Sequence, residues 1–336
     1  MQRTLFVLHP GSLGDVLLAL PALRALRAAF PGRALGLMAQ EEIGRLLLTG
    51  AEVDKTFSLE GPWPADILAG TRAAGAAMHQ WLLRCDVAVA WMADTDHHLG
   101  SALRTFSITH VIVASPHSPG YRSVHQTDRF LETVSSLAPM RVHGTSLQVP
   151  RDIVCDATSR LSSIGMSPSH ELVIIHPGSG SRHKCASPKL FAHFLGRLKT
   201  DGIFPLVVGG PADVDAILDL QRICPEPFQV LQDLDLVSMA GVIAHADCFI
   251  GHDSGLTHLA ACLQVPTIAL FGPTDPQRWA PRGPHVKVVT GASCRCQGLG
   301  WETVHACREK PCLQITLESI MSARIAFCGD GIQRAS

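Results

Sequence analysis

Between Cys248 and Pro276 the chain runs apolar strand, polar turn, helix, apolar strand, polar turn: Cys248-Phe-Ile-Gly-His-Asp-Ser-Gly-Leu-Thr-His-Leu-Ala-Ala-Cys262, then Val265-Pro-Thr-Ile-Ala-Leu-Phe-Gly-Pro-Thr-Asp-Pro276. Two buried strands joined by a single helix imply a parallel pair with a right-handed crossover. The turn Asp253-Ser254-Gly255 falls where a strand's carboxyl end meets a helix amino end. Free backbone N–H groups and the positive end of the helix dipole converge there, so the place suits an anion such as a pyrophosphate. Open α/β sheets collect ligands in such crevices. Asp253, Thr257 and His258 add side-chain donors and acceptors. An ordinary crossover helix capped by Asp253 or Ser254 explains the same residues, and both readings stand at this point.

The alternation fills two halves. Thr4-Leu-Phe-Val-Leu8 reads as a buried strand, His9-Pro-Gly-Ser-Leu-Gly-Asp15 as a loop, and the leucine-rich stretch to Phe30 as a helix ended by Pro31-Gly32. Further strands are expected at 34–38, 86–91 and 111–114, and helices at 41–48 and 126–137. The irregular stretch from Ala138 to Pro150 is the expected connection, giving domains 1–150 and 151–336. The second half restarts with a strand at 172–175 and the loop His176-Pro-Gly-Ser-Gly-Ser-Arg-His-Lys184. A helix near Pro188, a strand at 204–210, a helix from about Asp213, a strand at 228–231 and a helix at 236–245 follow. The fold class is α/β: two Rossmann-like domains facing a central cleft, the default place for a ligand.

Composition removes several classes. With 336 residues, 46% apolar content and a net charge of −1, the chain suits two compact domains. No lysine/arginine block gives a footprint for nucleic acid. No apolar run reaches membrane-spanning length, and Pro10, Gly11, Gly14 and Asp15 interrupt any signal-like amino end. Eleven cysteines without a signal peptide point to a reducing cytoplasm and mostly free thiols.

Both halves place His-Pro-Gly-Ser after their first strand: His9-Pro10-Gly11-Ser12 and His176-Pro177-Gly178-Ser179. The flanking residues differ, which argues against a true repeat. Gly11-Ser12-Leu13-Gly14 lacks the third glycine of a dinucleotide fingerprint, and no Gly-Lys-Ser/Thr phosphate loop occurs. Asp15, in the first turn of an apolar helix, is either a helix cap or a carboxylate able to take a proton from a bound hydroxyl. Lys184 lies at the approach to a helix, after a loop whose Ser179 and Ser181 can donate. Those parts can hold a diphosphate and neutralise its charge as it leaves. Asp213, closing Gly209-Gly210-Pro211, can accept from ribose hydroxyls or cap its helix. Thr274-Asp275-Pro276 needs no more than turn chemistry.

Together these motifs resemble the heptosyltransferase family of glycosyltransferases (family nine), which builds the inner core of lipopolysaccharide. The resemblance rests on 11–24, 176–184, 208–213, 253–261 and 271–276, in the family's order and over nearly the whole chain. It implies a GT-B fold, with acceptor bound mainly by the first domain and nucleotide-sugar donor mainly by the second. It implies inverting transfer of an ADP-activated heptose to a lipid-linked saccharide, with no cofactor and no metal at the site. Position by position, Asp15 stands as catalytic base and Lys184 as donor phosphate clamp. Asp213 meets the ribose, Asp253 helps hold the donor sugar, and Gly255 to His258, following Ser254, meet the diphosphate. His9, Gly11, Ser12 and Gly14 form the acceptor-side loop. A cytoplasmic protein with transient contact at the inner membrane face is expected. The alternatives are a nucleotide-sugar epimerase of similar shape, a sugar-nucleotide binding protein without catalysis, or a family member using another sugar.

The chain departs from the family in two places. His9 stands where an arginine is usual, and Lys-x-Trp-Pro has become Lys184-Cys-Ala-Ser-Pro188, without the tryptophan and one residue longer. Cys294-Arg-Cys296 and Cys307-(x4)-Cys312 supply four thiols that could hold a structural zinc, though their spacing matches no paired Cys-x-x-Cys knuckle, and free or paired thiols are the alternative. Acceptor specificity is expected in first-domain loops that include His97-His98, Arg104 and His117 to Arg122.

Overall fold

A computed structural model describes residues 2–61, 67, 76–116, 124–139, 144–297 and 299–329. The chain divides into two compact units, Met1–Gln148 and Val149–Ser336. The first contains β1 (Thr4–Leu8), α1 (Leu13–Leu18), α2 (Leu20–Ala29), β2 (Ala34–Ala39), α3 (Glu41–Thr49) and β3 (Lys55–Ser58). It continues with α4 (Ala76–Leu82), β4 (Cys85–Ala90), α5 (His98–Arg104), β5 (His110–Val113) and α6 (Gln126–Thr133). Its five strands are all parallel in the order β3-β2-β1-β4-β5.

The second unit opens with a helix that the reading above does not contain, α7 (Arg151–Ser163). Then come β6 (Leu172–His176), α8 (Pro188–Thr200), β7 (Phe204–Val208), α9 (Val214–Ile223), β8 (Gln229–Leu231), α10 (Leu236–Ile243), β9 (Cys248–His252) and α11 (Gly255–Cys262). β10 (Thr267–Phe271), α12 (Pro276–Trp279), β11 (Val286–Thr290), α13 (Trp301–Ala306) and α14 (Leu317–Gly329) complete it. Its six parallel strands run β11-β10-β9-β6-β7-β8. Both units are therefore doubly wound α/β sheets.

Local chemistry explains the elements. β6, β9 and β10 are buried at every position, as strands covered on both faces must be. In α8 the Ser187 hydroxyl accepts from Lys189 N–H at 3.3 Å, and Pro188 takes the first helical position, where no N–H is needed. Leu190, Phe191, Phe194, Leu195 and Leu198 form its buried face against Val173, Ile175 and Val207. Gly202, at φ +74°, follows the carboxyl end in the left-handed conformation that suits glycine. Each such fully buried side chain contributes about 1.5–3 kcal/mol. The first unit's core gathers Phe6, Leu8, Met38, Phe57, Leu82, Ala88 and Leu103.

The helix expected from Gln126 to Leu137 stops at Thr133. Its end carries Thr133 and Ser135, whose hydroxyls donate to the carbonyls of Phe130 and Glu132 and draw the backbone into turns. Asp213 closes a one-turn 3-10 helix (Pro211–Asp213), so α9 begins one residue later than expected. Among the described residues, no helix is long and apolar enough to cross a membrane.

Candidate functional site

In each sheet the strand order reverses beside the first strand of its unit: between β1 and β4, and between β6 and β9. A crevice at the carboxyl ends of such a pair is where open α/β sheets bind ligands. Each sequence-derived site residue lies at or beside one of these two places.

In the first unit His9 follows β1 and is almost wholly buried. Its ring packs against Trp91, 5.5 Å away just beyond β4, and Phe130 of α6, 5.2 Å away. Its Nδ1 accepts from the Gly11 N–H at 3.1 Å. A Cβ on Gly11 would stand 2.6 Å from the His9 ring and 2.8 Å from Asp15 Cβ, so this turn closes only with glycine. Ser12 precedes α1 and is exposed; Gly14 is buried and Asp15 is half-buried. The Asp15 Oδ2 accepts from the Ser12 N–H at 3.1 Å and from its hydroxyl at 2.8 Å. The carboxylate is thus oriented by its own helix start.

The second unit holds a denser constellation. Asp253 follows β9 and is buried, and its Oδ2 accepts from Lys184 Nζ at 2.8 Å. His258 of α11 faces its other oxygen at 3.9 Å. Burial alone would push this carboxyl up; the His258 imidazole and the Lys184 ammonium reverse that and hold it at about 2. Ser179 donates to the Asp253 carbonyl at 2.8 Å, and the Ser181 hydroxyl accepts from the His183 N–H at 3.3 Å. Ser254 is extended and precedes α11, but neither it nor Asp253 caps that helix. Its hydroxyl instead lies 3.1 Å from both His176 Nδ1 and Thr257 Oγ1. The first intrahelical bond runs from His258 N–H to the Ser254 carbonyl, leaving the N–H groups of 255–257 outside the helix's own ladder.

Asp213 is buried, and its Oδ2 accepts from the Gly210 N–H at 2.9 Å and lies 3.0 Å from His176 Nε2. Burial would raise this carboxyl too; the His176 contact outweighs it and lowers it. A Cβ on Gly178 would overlap the Asp213 carboxylate, which explains the glycine. A cavity of about 500 Å³ opens beside the same loop, lined by Gly178, Ser179, Arg182, Phe191 and Arg222 among others. Lys184 and Asp253 are not among its lining residues, so it lies to one side of the charged pair.

Two residues without an assigned role hold this arrangement. β6 and β9 are apolar strands that each end in histidine, His176 and His252. The Ala186 N–H donates to His252 Nε2 at 2.8 Å, so the proton is on Nδ1, which lies 3.2 Å from the Gly178 carbonyl. One neutral imidazole thus ties both ends of the loop that carries Lys184. Burial keeps it neutral, lowering it to about 4. A polar residue closing an otherwise apolar strand was the available signal. In the first unit His97 (φ +56°), His98 and Arg104 are exposed on and before α5, while His117 to Arg122 lie outside the described residues.

The model of glycosyltransferase family 9 (heptosyltransferase) matches residues 143–302. Lipopolysaccharide heptosyltransferase 3 of Escherichia coli K12 is 22% identical over 294 residues, 80% of this chain and 82% of that protein. Among solved structures, a family 9 glycosyl transferase from Veillonella parvula superposes with a TM-score of 0.82 at 18% identity, covering 98% of both chains. The E. coli ADP-heptose lps heptosyltransferase II gives 0.77 at 17% identity, covering 98% of this chain and 99% of that one. These superpositions carry the fold.

Proposed function

We propose that this chain, whose residues 143–302 match the family 9 model, is a glycosyltransferase of that family and moves a heptose from an ADP-heptose donor to a lipopolysaccharide core acceptor, with inversion and without a metal ion at the sugar diphosphate. The observation that carries the donor half is the Lys184–Asp253 pair beside the uncapped start of α11. A diphosphate at that helix end meets a cation and backbone donors fixed in advance. Both stabilise the charge that develops on the leaving group. Lys184 is the phosphate clamp, with Ser179, Ser181, Ser254, Gly255, Thr257 and His258 around it, and Asp253 helps hold the sugar. Asp213 serves the ribose edge, since a carboxylate carried by His176 and Gly210 keeps acceptor capacity.

The first unit takes the acceptor at the loop of His9, Gly11, Ser12 and Gly14. As an acceptor hydroxyl attacks the anomeric carbon it becomes acidic, and Asp15 takes its proton. The proton goes to the carboxylate, the sugar–phosphate bond breaks, and ADP leaves. A lipid-linked acceptor brings the protein transiently to the cytoplasmic face of the inner membrane.

Incubation with ADP-heptose and a heptose-deficient core acceptor, read by mass spectrometry in EDTA, tests this reading. The expected result is an acceptor heavier by one heptose. Donor converted without acceptor, or transfer strictly dependent on magnesium or manganese, would overturn it.

A further inference from the structure

The carboxyl-terminal cysteines form a second constellation that the transfer reaction does not use. Cys294 Sγ lies 3.0 Å from Cys296 Sγ and 3.7 Å from Cys307 Sγ, and Cys296 Sγ lies 4.0 Å from Cys312 Sγ. The thiols of Cys294, Cys296 and Cys312 are all within 4.8 Å of one another. A tetrahedral ion with sulfur at ~2.3 Å separates its ligands by roughly 3.8 Å, the middle of the separations seen here. The four are free thiols, gathered with Val304 and Leu313 as their apolar company among the described residues.

Their surroundings resemble a supported ligand set. The Cys294 N–H donates to Gln297 Oε1 at 3.2 Å, and Gln297 Nε2 donates to the Gly272 carbonyl at the end of β10. The Gly291 N–H donates to the Cys312 carbonyl at 3.0 Å just past β11. Among the described residues, 294–313 hold α13 and a three-residue turn (Pro311–Leu313), too little apolar surface to fold by themselves. A metal is the usual remedy for so small a core.

This segment also leans on the donor loop. The Trp301 ring lies 5.8 Å from Lys184 Nζ, the His305 ring stacks 4.4 Å from that of His183, and Lys310 Nζ is 3.1 Å from His183 Nδ1. Trp301 and His305 fall between the second and third thiols in sequence, and Lys310 between the third and fourth.

We propose that Cys294, Cys296, Cys307 and Cys312 bind one thiolate-preferring transition-metal ion, zinc in the first place, and that this ion fastens the 294–312 segment as a strap over the Lys184 loop. Binding releases the thiol protons to solvent and leaves a site of net charge about −2 for a divalent ion. Arg295, Arg308 and Lys310, interspersed among the ligands, offset it. The ion takes no part in the transfer itself and sets only the position of the loop. The binding claim is independent of the proposed transfer activity; the strap claim rests on that reading.

The test uses the full chain, expressed with zinc and iron available and purified without chelator. Elemental analysis should find one equivalent of zinc or iron per chain, and optical absorption identifies iron. The cobalt-substituted protein should show the intense visible bands of tetrahedral thiolate ligation, which needs no variant. Cys294→Ser with Cys312→Ser should abolish both, with the circular dichroism of the rest of the chain retained. Loss of metal should expose 294–312 to limited proteolysis and weaken ADP binding about tenfold or more. Metal well below one equivalent without cobalt bands, or metal retained in the double variant, would overturn the site. Undiminished ADP affinity in the metal-free chain would overturn the strap alone. A native chain that binds metal but no ADP would overturn the donor reading and leave the site standing.

Discussion

The same four residues, His-Pro-Gly-Ser, stand at the carboxyl end of the first strand of both units, yet the two loops are held in opposite ways. In the first unit His9 is fixed by ring packing against Trp91 and Phe130, and the chain enters α1 almost at once. Asp15 is then oriented by Ser12, three residues away, through local bonds alone. In the second unit the loop is bound by side chains from distant sequence: His176 to Asp213 and Ser254, Ser179 and Lys184 to Asp253, His252 to both loop ends. A reactive group held by its own turn can be changed without loosening the fold. A group held by a buried charge network cannot, because removing one partner leaves the other uncompensated.

The largest expected effect is on the locally held side. Asp15→Asn keeps an oxygen for the Ser12 donors but cannot take a proton, so turnover should fall about 10²–10⁴-fold. Stability should stay within about 0.5 kcal/mol of wild type. Paired kinetics and thermal melts check this. Retained turnover with lost stability would reduce Asp15 to a helix-start residue and erase the contrast.

Next comes Lys184→Ala, where function and fold should fail together. Loss of a cation facing developing phosphate charge costs about 10²–10³-fold in turnover. Asp253 also loses its 2.8 Å partner, so the melting temperature should drop as ADP affinity falls. Calorimetric titration with ADP decides it: unchanged affinity would mean that the lysine does not meet the diphosphate.

Acid should separate the units further. His252 titrates at about 4 in the fold against 6.5 for an unburdened imidazole. Between those values the unfolded chain holds a proton that the folded one refuses, so stability is full above pH 6.5 and is lost as pH falls toward 4. The loss is on the order of 3 kcal/mol and belongs to the second unit. Asp253, held at about 2 against 3.8, adds a further loss below pH 4. Denaturant melts from pH 7 to 4.5 should show the first slope, and His252→Asn should flatten it. An unchanged slope in that variant would remove His252 as the cause.

The smallest effect is expected at Ser12. Ser12→Ala deletes the 2.8 Å hydroxyl bond to Asp15 but leaves the backbone N–H bond, so about 1 kcal/mol and a modest rate loss should follow. A collapse as large as that of Asp15→Asn would show that the hydroxyl itself takes part.

Much of this architecture can be read from sequence because central parallel strands are continuously apolar and each is followed by one helix. The elements that escape the reading lie where that signal fades. β3 and β11 are edge strands with largely half-exposed residues, and α7 buries only Ala157 and Leu161. For the site, motif order placed Lys184 and Asp253 on the same ligand. Their direct pairing across 69 positions is tertiary and has no local signature. The roles of His176 and His252 have no local signature either, since a histidine's tautomer and partners become visible only when neighbouring strand ends are side by side.

The pairing of β6 with β9 sets a condition on how the protein is made. It joins Val173 to Cys248 and His176 to Gly251, while β7, β8 and three helices occupy the chain between. During synthesis, then, the loop bearing Lys184 emerges long before the strand that supplies Asp253 and His252. Contacts so remote in sequence form late, because the intervening chain must be closed before they repay its entropy. If the proposed donor site holds, a nascent chain cannot bind nucleotide until α11 has left the ribosome, and ADP should slow unfolding far more than it speeds folding. Stopped-flow refolding with and without ADP would show that asymmetry, and an equal effect on both rates would mean that the two strand ends meet early.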